Sequence, residues 1–252
     1  LTTVALGLLI TTLVAYFYTK NTAEDLAQGQ IVQTLNFLDR EINLQARDMA
    51  MQTNIIAQEE VLRLALDDSY LGHSARAAAQ RKMETLVRSG AFERVYLMNP
   101  KGKLVMASDP TLPGTLDVSD RRYFTQAISG HPTLETVPVS RVTRRPILVA
   151  STPLRGPDGA ILGVVVGITH TDTFAREMLN DSRIGKSGGA YIMTRKGVIL
   201  GAPAWAVSGT FGIGEDSGWF ESMEKLLTNA ETGAIHRFER DGSSLQPRRM
   251  PA

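Results

Sequence analysis

The chain has 252 residues, 27 Lys and Arg against 26 Asp and Glu, and no cysteine. This length supports a core of useful size in one large domain or two small ones, and a composition 21 % charged and 43 % hydrophobic excludes global disorder. A net charge of +1 argues against nucleic acid as a partner, and the lack of cysteine excludes a disulfide scaffold, a thiolate nucleophile and any cysteine-ligated metal.

Leu1 to Tyr18 contains no charged residue. A helix of that length spans about 27 Å, close to the hydrocarbon thickness of a bilayer. Tyr16, Phe17 and Tyr18 cluster at one end, with Lys20 just beyond, as at a membrane interface. Residues 1–18 are therefore predicted as a transmembrane helix. A buried core helix or a signal-peptide core are the alternatives, but the run is long for the latter and ends without a small-residue cleavage site.

No proline precedes Pro100, and residues 19–68 are predicted as one long stalk helix, with a clear helical pattern from Ala23 to Asp68. Leu35, Ile42, Met49 and Ile56 recur every seventh residue, with Ile31 and Leu38 between them and Gln45 and Gln52 interrupting. This pattern predicts a parallel homodimer through Ile31, Leu35, Leu38, Ile42, Met49 and Ile56. Phe37, Leu44 and Met51 form a second stripe, so the helix is expected to meet both a partner helix and its own domain. A bundle helix with one wide core face is the alternative.

An internal match follows. Tyr96-Leu-Met-Asn-Pro-Lys-Gly-Lys-Leu-Val-Met-Ala-Ser108 reads against Tyr191-Ile-Met-Thr-Arg-Lys-Gly-Val-Ile-Leu-Gly-Ala-Pro203. Each is an apolar run broken by Lys-Gly and resumed, a hairpin signal. Two copies imply two similar α+β modules in tandem, over residues 69–181 and 182–252. Thr133 to Ser140, Pro146 to Leu154 and Ile161 to Thr169 are predicted strands of an antiparallel sheet, Gly156 to Gly159 a turn, and Thr173 to Asn180 a connecting helix. Ser217 to Ala230 reads as a helix and Ala234 to Phe238 as a strand, followed by a polar tail. The second module therefore reads as truncated.

Asp117-Val-Ser-Asp-Arg-Arg-Tyr-Phe124 carries the candidate site. Ser119 or Asp120 is predicted to cap a helix, whose free N–H groups favour an anion. Arg121 and Arg122 then fall in a first turn, where the dipole disfavours a cation. Such a placement suits a guanidinium fork for a carboxylate ligand, with Tyr123 and Phe124 walling a small pocket. A surface arginine paired to Asp117 or Asp120, above core aromatics, explains the residues equally well. Catalysis finds no support: the four histidines show no metal-ligand spacing, Gly185-Lys186-Ser187 lacks the first glycine of a phosphate loop, and no G-x-S-x-G occurs.

The chain resembles the double Cache (PAS-like) extracytoplasmic sensor domains of bacterial chemoreceptors, sensor histidine kinases and diguanylate cyclases. The resemblance rests on Asp117 to Phe124, on Ser140-Arg-Val-Thr-Arg-Arg-Pro146, on Gly185-Lys-Ser-Gly-Gly-Ala-Tyr191 and on Ala107-Ser-Asp-Pro110. It implies a long helix supporting a membrane-distal ligand-binding module (69–181) and a membrane-proximal one (182–252), in the bacterial inner membrane with residues after about 19 periplasmic. The implied ligand-binding residues are Arg121, Tyr123, Phe124, Arg141 and Asp120, with no catalytic residue, metal or cofactor. Arg122 is expected to face solvent, and Arg144 and Arg145 to form a solvated basic loop. Tyr123 stands where amino-acid-sensing members have a tryptophan, and Ile168 where they place an ammonium-binding aspartate. The expected ligand is therefore a carboxylate or another small anion. The expected function is a transmembrane receptor's sensor domain, with a membrane-anchored adhesion domain as the alternative.

Overall fold

The computed structural model describes residues 2–112, 116–180, 182, 189–194, 198–204, 213, 237–241 and 244–248. The first helix, α1 (Thr2–Ile56), is followed by α2 (Glu60–Ala65) and α3 (Tyr70–Arg88), then β1 (Arg94–Met98), β2 (Leu104–Ala107), α4 (Arg122–Ile128), β3 (Thr133–Val137), β4 (Ile147–Arg155), β5 (Ile161–His170) and α5 (Thr171–Asn180). Two short hairpins complete the described chain: β6 (Ile192–Met193) with β7 (Ile199–Gly201), and β8 (Arg237–Asp241) with β9 (Ser244–Arg248). The α+β class predicted from the strand and helix patterns is the one found.

β1 to β5 form an antiparallel sheet in the order β2-β1-β5-β4-β3. Side chains alternate along each strand. Val95, Leu97, Leu148, Ala150, Leu154 and Val165 face Met49 and Ile56 of α1, Leu62 and Ala65 of α2, and Ala79 and Met83 of α3. Tyr96, Met98, Ile147, Val149, Val164, Val166 and Ile168 face the opposite way, under Tyr123, Phe124 and Ala127 of α4. With both faces covered, β4 and β5 read as nearly continuous apolar runs, which made them visible in the sequence. Gly167 admits the Phe92 ring, which passes within 2.3 Å of the position a Cβ would take.

α1 ends at Ile56, twelve residues short of the predicted Asp68. The chain turns through Ala57–Glu59, and α2 and α3 fold back onto the sheet. The turn contains no glycine or proline; burying Val61, Leu62 and Ala65 against the sheet takes precedence over continuing an exposed helix. Ser69 caps α3, its Oγ accepting the Gly72 N–H at 3.2 Å.

The predicted dimer seam is also corrected. Leu38 packs on Ala175, Met178 and Leu179 of α5, and Met49 and Ile56 lie in the core beneath the sheet. These stripe residues serve their own domain and are closed to a partner. Leu35, Phe37, Leu44 and Met51 are 50–60 % exposed.

The predicted hairpin repeat holds in register. Leu97 pairs with Met106 and Met98 with Leu104, with a bulge between; Ile192 pairs with Gly201 and Met193 with Ile199, again with a bulge between. The segment read as a polar tail contains a further strand, since Ser244–Arg248 pairs with β8. The helix predicted over Ser217 to Ala230 and the Gly185–Ser187 segment lie outside the described residues. Among the described residues no helix is long and apolar enough to cross a membrane. Leu6, Leu9, Ile10, Leu13, Val14 and Tyr16–Tyr18 are each more than half exposed.

Candidate functional site

The site forms where the loop before α4 runs along the sheet edge at the start of β2, with Leu104 N–H donating to Leu116 O at 3.0 Å. Val118 N–H donates to Gly102 O at 2.9 Å, in the β1–β2 turn, where Gly102 has φ of +79° and close contact with Ser119. Asp117 Oδ1 accepts the Ser119 N–H at 2.9 Å. The bonds from Ser119 hold the Asp117 carboxyl below its ordinary value. The chain then enters α4 with Arg121 at the N-cap, in an extended conformation and without a side-chain capping bond.

This corrects the predicted cap. Neither Ser119 nor Asp120 occupies the N-cap position; Glu135 of β3 serves instead, its Oε1 accepting the Tyr123 N–H at 3.0 Å. The anion at this helix start is thus the protein's own carboxylate. Arg122 leans toward the same carboxylate at 3.8 Å and is 75 % exposed, as expected. Ser151 Oγ donates to Tyr123 O at 2.8 Å and shares a 2.6 Å hydrogen bond with Thr133, fastening α4 to β3 and β4.

Below this entry lies a cavity of about 20 Å³, lined by Arg121, Tyr123, Arg141, Tyr96, Ser140 and Ile168 with their apolar neighbours. That volume holds about one water molecule. Two guanidiniums and two phenols border it, and no carboxylate does. Burial pushes the Tyr123 phenol up to about 12, against the opposing pull of Arg121. Burial likewise raises Tyr96.

Arg141 closes the cavity like a strap. Its Nη2 meets Asp120 Oδ2 at 2.6 Å and its Nη1 donates to the Asp117 carbonyl. The bond from Arg141 lowers the Asp120 carboxyl pKa. The strap is set by Ser140, which is buried and whose Oγ accepts the N–H groups of Val142 and Thr143 at 3.2 Å each. Arg144 takes a positive φ of 60° to finish the turn.

The structure thus brings Arg121, Tyr123 and Arg141 to one cavity. Phe124 is 3 % exposed in the core beside it and is not among the residues bordering the cavity. Asp120 does not border it either; it is the partner of Arg141. Arg145 departs from the expected solvated loop, since its Nη2 is paired with Asp172 at the start of α5. Tyr96 and Glu135 were missed as site residues. Tyr96 carried a signal, as the first residue of the repeated hairpin on the strand face opposite Leu97. Glu135 carried none, because its role depends on pairing β3 beside α4.

A sequence profile of the Cache domain family matches residues 19–244. No match to a curated protein sequence was found. Among solved structures, the domain of a putative sensory box/GGDEF family protein from Vibrio parahaemolyticus superposes with a TM-score of 0.64 at 14 % identity, covering 86 % of this chain and 88 % of that one. The ligand-binding domain of Mlp24, solved with asparagine, gives a TM-score of 0.57 at 18 % identity, covering 86 % and 85 %. The sensor domain of the Vibrio cholerae histidine kinase DctB gives 0.51 at 18 % identity, and this chain spans only 55 % of its length while 56 % of this chain is matched. With a profile match over most of its length and the sheet and α4 entry described above, the chain belongs to the Cache domain family of sensor modules.

Proposed function

We propose that this chain is the extracytoplasmic sensor domain of a bacterial transmembrane receptor and that its distal module, residues 69–181, binds a small carboxylate-bearing ligand at Arg121. The observation that supports this reading is the cavity bordered by Arg121 and Arg141 with no carboxylate among its lining residues. A guanidinium in such a place offers paired donors to a carboxylate. The asparagine found with Mlp24 carries that group, and the Ile168 wall favours ligands that need no acidic partner for an ammonium.

The cavity is too small for any such ligand as it stands, so binding requires the Arg141 strap to lift. The ligand carboxylate would then replace Asp120 as an anionic partner. A ligand that binds only the lifted state shifts the balance between the two states, and α5, joined directly to β5, leads that change toward residues 182–252. Two further elements complete the reading. Residues 1–18 anchor the chain in the inner membrane, supported by the absence of charge from Leu1 to Tyr18 and by the exposed apolar side chains there. A homodimer forms on the face of α1 carrying Phe37, Leu44 and Met51, supported by their exposure at seven-residue spacing.

The test is a calorimetric titration of the chain with a panel of amino acids and dicarboxylates, asparagine included. Arg121→Ala should weaken binding of the responding ligand about ten- to a hundred-fold, the effect of losing a charged hydrogen bond, while Arg122→Ala leaves it near the parent value. Equal binding by parent and Arg121→Ala would overturn the assignment. A panel with no responding ligand would favour an adhesion domain without a sensing role.

A further inference from the structure

A second cavity lies at the opposite end of the sheet. It occupies about 530 Å³ where α1 ends, between the α1–α2 turn, the α4–β3 loop and the β4–β5 turn, and it shares no lining residue with the Arg121 cavity. Arg63 and Arg155 are the charged residues that line it. Arg155 Nη1 and Nη2 donate to the carbonyls of Gly159 and Gly130 at 3.2 and 3.3 Å, which holds the guanidinium at the groove while leaving other N–H donors free to serve a ligand. Arg63 makes no ion pair among the described residues. Of the nearby acids, Glu59 pairs with Lys82 at 2.7 Å, Asp158 Oδ1 accepts the Ala160 N–H at 3.1 Å, and Glu60, in the first turn of α2, does not line the groove.

The remaining lining combines two kinds of surface. Asn54 and Gln58 present exposed amides, Pro132 is exposed beside them, and Pro153 lies buried in β4 at the groove floor. The volume falls in the usual range for small-molecule sites. Guanidiniums suit a carboxylate, and the amides of Asn54 and Gln58 suit the hydroxyls of a sugar. We propose that this groove is a second ligand site, for a carboxylated sugar of monosaccharide size. It is independent of the Arg121 site and does not rest on that assignment.

The experiment is isothermal titration of the chain with glucuronate, glucose and acetate. Glucuronate should bind saturably with one site per chain, and glucose and acetate at least about tenfold more weakly, since each lacks half of the recognised chemistry. Arg63→Gln and Arg155→Gln should each weaken glucuronate about tenfold or more, and Arg121→Ala should leave it unchanged. Arg155 bonds two turn carbonyls, so if Arg155→Gln fails to fold, Arg63→Gln decides the matter. Absence of saturable glucuronate binding overturns the proposal. So does acetate binding as well as glucuronate, which would mean general attraction of anions. Loss of binding in Arg121→Ala but not in Arg63→Gln would also overturn it, because the sugar acid would then occupy the other cavity.

Discussion

Alkaline pH should destabilise the domain through the Tyr123 hydroxyl. Tyr123 is 6 % exposed, and burial raises its phenol from 10.0 to about 12. The folded pKa is the higher one, so the unfolded chain loses its proton first. The stabilisation is therefore complete below pH 10 and disappears as the pH climbs through the folded value near 12. At about 1.36 kcal/mol for each unit, the two-unit difference amounts to about 2–3 kcal/mol. That is a large share of the about 5–15 kcal/mol by which a domain is usually stable. Urea denaturation of the parent and of Tyr123→Phe, from about pH 8 to pH 12, isolates this contribution, because every other titrating group, including Tyr96, is common to both. The parent should lose about 2–3 kcal/mol more than the variant over that range. Parallel pH profiles would refute the account and mean that the Tyr123 oxygen is solvated in the folded chain.

Gly167→Ala would set a Cβ within 2.3 Å of the Phe92 ring; a cost of about 1–3 kcal/mol or more is expected from such overpacking, measured as a lowered urea midpoint. Asp120 is held below its ordinary value of 3.8 by the bond from Arg141, so that pairing is intact above 3.8 and is lost as pH falls through the lower folded value. An NMR titration of the Asp120 carboxyl should show a depressed midpoint that returns to the ordinary range in Arg141→Ala. In membranes, Leu44→Cys should crosslink to its copy under oxidation and Leu38→Cys should not, because Leu44 is 54 % exposed and Leu38 5 %; the reverse result would restore the seam that the sequence suggested.

Legibility in the sequence followed the range of the interactions. β4 and β5 could be read directly because cover on both faces favours apolar residues at nearly every position. The repeated hairpin could be read because its register is a local property, carried by Lys-Gly between two apolar runs. The end of α1 could not, because Ala57–Glu59 has no breaker and the turn is imposed by the burial of Leu62 and Ala65 against strands that follow in the chain. At the site, Arg121, Tyr123 and Arg141 were recognisable as residue types in a familiar order. The Asp120–Arg141 strap and the Glu135 acceptor were not, since each joins residues 21 and 12 positions apart through strand pairing.

The way α1 is held has a mechanical consequence. Leu38, Met49 and Ile56 clamp one end of the helix to α5 and to the sheet, while Thr2 to Phe37 continues beyond them as the same uninterrupted helix. At about 1.5 Å per residue, that stretch of helix is about 54 Å long. Each degree of tilt at the clamp displaces its tip by about 1 Å, from the same rise per residue. The domain therefore has a lever ratio built into it: repacking by a fraction of an ångström around Met49 or Leu38 is enough for a displacement several times larger at the far end of the rod.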